Sequence, residues 1–300
     1  MKKRQSTTEK RNLRNGLLFC SPVIVGLAVF TLYPMLASLY YSFCNYPMLK
    51  PPVWVGLTNY RVLIHDPVFY KSLSNTAYYA AFATPAGIVT AFLLAVLLNQ
   101  KVRGMAIFRT MFFVPSIVPM VAGSVLWLWL LNPDYGLINT ILRSMHLHAP
   151  GWLNDPATAK PALILMSVWG VGGWMLIYLA GLQDVPVDLY EAAEIDGAGP
   201  LQRMLHITIP FMSPHLFFTL VMGFIGAATY FTQAYVMTGG QGGPVDSTRF
   251  FSIYLFQNAF MYWKMGYACA LAWILFVLIL LFTLALFKTS ARYVHYGGER

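Results

Sequence analysis

Glu191, Glu194 and Asp196 are three of the chain's eleven acidic residues, and Asp184 and Asp188 stand just ahead of them. They open the stretch 191–214, EAAEIDGAGPLQRMLHITIPFMSP, a polar segment between two long apolar runs. Carboxylates can serve acid–base or metal chemistry. No His-Glu zinc motif accompanies these, however, and no carboxylate pair lies inside an apolar run. The three cysteines, Cys20, Cys44 and Cys269, have no metal-ligand spacing and suggest no disulfide framework. Nor is there a G-x-x-x-x-G-K-[ST] loop, so the chain is not expected to hydrolyse ATP itself. What remains is recognition by charge: an acidic, helical, glycine-punctuated loop on an apolar chain suits docking of a soluble partner.

The elements that position this loop are apolar. Hydrophobic residues make up 58% of the 300 positions, aromatics 16% and charged residues 10%, against about 25% charged in soluble domains. Windows 15–49, 72–100, 110–133, 161–183, 207–245 and 265–287 contain no Asp, Glu, Lys or Arg. Each holds an apolar run of the roughly 20 residues that cross a bilayer as a helix. The expected fold is therefore all-α, with six transmembrane helices near 17–43, 74–98, 110–131, 161–182, 214–237 and 265–287.

The net charge of +9 falls at the ends of these spans. It reads as a topology signal and not as a nucleic-acid surface. With both termini inside, thirteen Lys and Arg lie on the cytoplasmic side and seven outside. The basic head 1–14 is followed by too long an apolar run for a cleavable signal, and no A-x-A site follows, so the first helix is expected to stay.

The acidic loop has a local logic. Pro186 discourages continuation of the fourth helix. Asp188 is expected to cap a new helix, with Glu191 reaching back in a capping box. Leu189, Ala192, Ala193 and Asp196 share one helical face. Gly197 is a natural stop, Pro200 can open a second short helix, and Ser213-Pro214 can cap the fifth span. A slim helix held along the membrane can enter a partner's cleft and act as a lever. The alternative is an amphipathic helix resting on lipid, although such helices are usually basic.

No charged group sits deep in a span, which disfavours a proton relay or ion pathway. A neutral, hydroxyl-rich cargo fits better. Trp169, Trp174, Tyr178, Tyr230, Gln233 and Tyr235 offer stacking faces and hydrogen bonds at plausible depth, though each could equally be a packing residue.

Glu191-Ala192-Ala193, Gly197, Ile207 and Pro210 also fill the places of the E-A-A…G…I-x-x-P pattern. That pattern resembles the coupling loop of the membrane-spanning permeases of bacterial binding-protein-dependent ABC importers. The run Trp54-Val55-Gly56-Leu57-Thr58-Asn59-Tyr60, the pair Asn75-Thr76 and the glycine-rich 238–244 resemble sugar-importer permeases at the same positions. The resemblance, closest to maltose- and glycerol-phosphate-type permeases, covers residues 16–290. It implies the type I importer fold, with ATPase coupling through Glu191, Ala192, Ala193, Asp196, Gly197 and Pro210. Counting from the motif, Val171 and Trp174 on the fourth helix match one wall of the sugar path. Gly223, Ala227 and Tyr230 on the fifth match the other, and Gln233 joins them on chemical grounds.

The implied partners are a second homologous permease, two ATP-binding subunits, an extracytoplasmic solute-binding protein and membrane lipid, with no nucleic acid and no cofactor. The cargo would be a sugar, or alternatively glycerol phosphate or another polyol. An ion-coupled secondary transporter is the competing class. The expected organisation is a cytoplasmic tail (1–15), a first helix with its outer loop (16–73), a permease core (74–288, coupling loop 186–213) and a second cytoplasmic tail (289–300).

Overall fold

The computed structural model describes residues 7–100 and 102–290. The basic residues Lys2, Lys3, Arg4, Lys101, Arg292 and Arg300 used in the topology count lie outside them, as does most of the expected C-terminal tail. The chain divides into two units. One comprises residues up to His65 with Phe256–Ile274, and the other Asp66–Leu255 with residues from Leu275.

The first span runs Arg11–Ser42. It consists of α1 (Thr7–Leu27), a π-turn at Ala28–Leu32 and α2 (Tyr33–Ser42). Pro34 explains the π-turn: it has no N–H to donate, its ring crowds the carbonyl one turn back, and a widened turn relieves both. None of the span's apolar window is buried by the rest of the chain.

Its C-terminal end is a braced loop. Strands β1 (Cys44–Asn45) and β2 (Val53–Trp54) pair antiparallel, Cys44 opposite Trp54. Asn59, in α3 (Thr58–Ile64), donates to the Ser42 and Cys44 carbonyls at 2.8 and 2.9 Å. The Tyr60 hydroxyl donates to Ser42 Oγ at 2.8 Å, and Phe43 stacks on Trp54. Gly56 turns the chain at φ +61°, so the aromatic run singled out in the sequence forms this brace.

In the second unit, α4 (Pro67–Leu98) is the second span. Asp66 caps it by accepting from the Val68 amide at 2.9 Å, with Pro67 in the first turn. The helix therefore starts two turns earlier than expected. Arg109 donates to the Leu98 carbonyl at its far end, at 2.9 and 3.2 Å.

The third and fourth spans are broken. α5 (Met105–Ile117) and α6 (Met120–Leu130) meet at 99° across Val118-Pro119. Val118 is extended because the residue before a proline avoids the helical region. The short α7 (Leu137–Ser144) follows in the connector between the third and fourth spans. There Asn139 donates to the Pro133 and Pro150 carbonyls and accepts from Trp152 Nε1. α8 (Pro156–Trp169) and α9 (Gly172–Gln183) meet at 47° across Gly170-Val171.

The loop helix α10 (Val187–Ile195) leads to α11 (Pro200–Arg203), a π-turn at Met204–Thr208 and α12 (Ile209–Ala228). The last three form one rod, Pro200–Ala228. This corrects the expected start of the fifth span at Ser213-Pro214. The Ser213 hydroxyl donates to the Pro210 carbonyl in mid-helix, at 2.6 Å. The span also ends at Ala228, and α13 (Thr232–Met237) is a separate short helix. Pro210 again follows a π-turn, as Pro34 does.

The chain closes with α14 (Phe251–Phe256) and α15 (Met265–Ser290), the sixth span. Among the described residues four helices are long and apolar enough to cross a membrane as single rods, and up to six spans result when each bent pair is taken as one.

Candidate functional site

Both breaks in the spans border a single cavity. Val118, Pro119's neighbour Met120, Gly170 and Val171 line it, together with residues of α4 and α12. Its volume is about 460 Å³. Irregular backbone at membrane depth is tolerated where it lines a cavity or is buried in protein, so the breaks and the cavity explain each other.

All six residues named for the cargo path, Val171, Trp174, Gly223, Ala227, Tyr230 and Gln233, line this cavity. Trp174 does not lie free in it. A Cβ on Gly87 of α4 would come within 2.9 Å of its ring, and one on Gly223 of α12 within 2.7 Å. The indole is thus slotted between two helices where each has no side chain. Tyr230 stacks on Tyr79 with ring centroids 4.2 Å apart and planes 21° apart, and Phe250 meets both edge-on.

Of the other aromatics considered, Trp169 lines the cavity and meets Trp127 edge-on. Tyr178 is buried in the core and hydrogen-bonds Thr219. Sequence reasoning missed Tyr79, Thr84 and Gly87. All three lie on α4 inside an apolar run, and only the fold turns them toward the site.

The acidic loop is the second candidate. α10 has no buried residue, and Ile195 is 87% exposed. The expected capping box is absent. Pro186 occupies the N-cap position with extended ψ and no side-chain bond, so helix begins at Val187 and places Asp188 and Glu191 inside it. The helix stop falls where expected. Gly197 is left-handed at φ +77°, its N–H donates to the Glu194 carbonyl, and the Ala198 N–H donates to that of Ala193. This is a Schellman closure, which satisfies the last carbonyls.

The Gly199 N–H then donates to Gln202 Oε1 as α11 opens at Pro200. Two contacts brace α10 against the rod that becomes the fifth span. Tyr190 Oη and Thr208 Oγ1 are 2.9 Å apart, and Arg203 pairs with Glu194 at 3.2 Å. Glu191, Ala192, Asp196 and Gly197 stay exposed, while Ala193 and Pro210 are partly buried. Among the described residues no His, Cys, Asp or Glu cluster could hold a metal, and the cysteines are free.

The geometry defines a class: a multi-pass membrane protein with a cavity lined by uncharged residues at its span breaks and an exposed helix outside its spans. Residues 83–293 match the family model of the binding-protein-dependent transport system inner membrane component. The chain belongs to that family and is a membrane permease subunit.

It is 44% identical over 300 residues to the probable ABC transporter permease protein YesP of Bacillus subtilis, covering 99% of this chain and 96% of that one. It is 35% identical over 285 residues to the lactose transport system permease protein LacF of Rhizobium radiobacter, covering 91% and 95%. A crystal structure of a bacterial ABC transporter involved in the import of the acidic polysaccharide alginate has the same fold. Its TM-score is 0.80 at 22% identity, covering 97% of this chain and all of the matched chain.

Proposed function

We propose that this permease subunit carries a sugar, delivered by an extracytoplasmic binding protein, through an ATP-driven importer. It would pair with a second homologous permease and two ATP-binding subunits. The observation that carries the reading is the cavity at the two span breaks: aromatic faces and hydroxyls line it, and no charged side chain does. Sugar rings stack on aromatic faces and need hydrogen bonds for their hydroxyls. The similarity to a lactose permease supports the same cargo class.

In this reading both termini are cytoplasmic, as the Lys and Arg balance supports. α10 then faces the ATPase. Glu191, Ala192, Ala193, Asp196 and Gly197 form the docking surface. Pro210 lies on the rod that carries movement into the fifth span. The braces Tyr190–Thr208 and Glu194–Arg203 support a lever that moves with that rod, not a tether. Both are modest individually, the exposed ion pair contributing about 0–1 kcal/mol.

The test is isolation of the complex from membranes in mild detergent, followed by identification of its subunits and assay in liposomes. ATP-binding subunits should co-purify, and sugar uptake should require ATP. Uptake driven by an ion gradient without ATP would overturn the reading.

A further inference from the structure

Two sequence features far apart in the chain, the Asn75-Thr76 pair and the glycine-rich 238–244, meet in the fold. The buried Asn75 amide donates to the Asp246 and Arg249 carbonyls, at 2.7 and 3.1 Å. Its oxygen accepts from Lys160 of α8 at 3.2 Å. Thr76 Oγ1 accepts from the Phe251 amide at 2.9 Å. The Tyr254 hydroxyl donates to Asp66, the cap of α4. The start of α4 thus clamps the chain that follows the glycines at four points between Asp246 and Tyr254.

That chain needs a clamp. Gly239, Gly240, Gly242 and Gly243 are left-handed, and so are Val245 and Asp246, at φ +49° and +56°. Glycine-rich backbone loses the most freedom on ordering, and a β-branched residue at positive φ is an outlier. Such strain persists only where the surroundings over-determine the backbone, and it clusters at functional sites.

What the clamp places is Phe250. It stands between the two held residues Arg249 and Phe251, is fully buried, and meets Tyr79 and Tyr230 edge-on. Tyr79 lies one turn along α4 from the clamp. Tyr230 belongs to no helix and falls in the break between α12 and α13. Its ring therefore depends on its neighbours, Tyr79 and Phe250, for its place. Both tyrosines line the cavity. A wall already ordered when a solute arrives spares the binding energy that ordering would consume.

We infer that Asn75 and Thr76 are positioning residues for the cargo site. They act through Phe250, which holds the Tyr79–Tyr230 stack in place at the cavity wall. The inference rests on the transport reading above and adds to it two residues that do not line the cavity.

The experiment uses the whole complex with its binding protein, in liposomes loaded with ATP, with labelled lactose, trehalose and arabinotriose as probes. Uptake is normalised to assembled complex. Thr76→Val keeps the side chain's shape and removes the acceptor of the Phe251 amide. It should lower uptake of the probe that wild type carries about three- to tenfold, the worth of one hydrogen bond. Thr76→Ser should restore it. Asn75→Ala should lower uptake further, because two carbonyls and Lys160 lose their partner.

A double-mutant cycle separates positioning from plain stability. Thr76→Val is repeated in a Tyr230→Leu background, where the ring stack is already gone. There it should change uptake less than about twofold, because residues that act through one another are not additive. A merely structural pair would lose the same factor in both backgrounds. That result, or unchanged uptake in Thr76→Val alone, overturns the inference and leaves an ATP-driven importer standing. Absence of ATP-dependent uptake of all three probes by wild type overturns the sugar-transport reading and the inference with it.

Discussion

The Trp174 ring occupies the space that a side chain on Gly223 would need, with Cη2 2.7 Å from that glycine's Cβ position. Gly87 leaves a matching gap on the opposite helix, 2.9 Å from Cζ3. The fourth span is therefore keyed to the second and fifth through one aromatic side chain at the cavity wall. Gly223→Val should force the indole out of its slot and cost about 1–3 kcal/mol, the usual range for overpacking. Melting of the purified chain in detergent measures this. Gly226→Ala is the control on the same helix, since its added Cβ would meet nothing within 4 Å. Trp174→Leu, smaller and still apolar, should recover part of the loss in the Gly223→Val background. Equal melting temperatures for Gly223→Val and Gly226→Ala would show that the slot is not tight.

Removing the aromatic faces should impair transport more than assembly. Tyr230→Ala deletes a ring stacked on Tyr79, and Trp174→Ala deletes the keyed indole. Both should lower sugar uptake about tenfold or more while ATP-binding subunits still co-purify. Tyr230→Phe keeps the ring and loses only the hydroxyl, so it should lie between Tyr230→Ala and wild type, within the several-fold effect of one hydrogen bond. Normal uptake in both alanine variants would make these rings packing residues and move the cargo path elsewhere.

If both termini lie inside, as proposed, the brace after the first span presents a surface that external reagents can reach. Thr58 opens α3 and is exposed, beside the Asn59 and Tyr60 contacts that close the loop. Single cysteines at Asn15, Thr58 and Arg292 in a cysteine-free chain should react with an impermeant maleimide in intact cells only at Thr58. Reaction at Arg292 would defeat the arrangement with both termini inside.

How far the sequence reached can be traced residue by residue. The charge-free windows locate the spans because a charged residue at the bilayer centre is costly. Gly197 marks the end of α10 because left-handed backbone favours glycine. The breaks at Val118-Pro119 and Gly170-Val171 were not legible. Prolines and glycines are common in continuous membrane helices as well, and only the cavity behind these two sites distinguishes a break from a tolerated kink. The continuous rod from Pro200 to Ala228 was hidden for the reverse reason: Pro210 and Pro214 look like stops, but a π-turn lets the helix pass the first. Asp188 failed as a cap because Pro186, held near φ −57° with extended ψ, already turns the chain into helix. Thr84 and Gly87 carry no signal in the sequence at all. Their roles come from which face of α4 the fold turns inward.

The loop helix α10, proposed above to couple to the ATPase, supplies the last prediction, and its geometry separates two causes that one substitution would confuse. Gly197 sits at φ +77°, and an added Cβ would meet nothing within 4 Å. Any harm from a larger residue within this chain is thus backbone strain and not a clash. A β-branched side chain is poorly suited to the left-handed region, whereas asparagine tolerates it. Gly197→Val should therefore loosen the Schellman closure and tilt α10 against its braces, while Gly197→Asn should keep the closure. Glu191 is exposed and makes no side-chain hydrogen bond or ion pair among the described residues, so Glu191→Lys should leave the fold intact and reverse charge only on the exposed face of α10 proposed to dock. In liposomes with partner subunits and binding protein, Gly197→Val and Glu191→Lys should cut ATP-driven uptake about tenfold or more. Membrane insertion should stay near wild type, and Gly197→Asn should retain most uptake. If Gly197→Asn fails as badly as Gly197→Val, a partner's groove excludes any side chain there and strain is not the cause. If Glu191→Lys and Gly197→Val both transport normally, α10 is not the element through which ATP hydrolysis drives this permease.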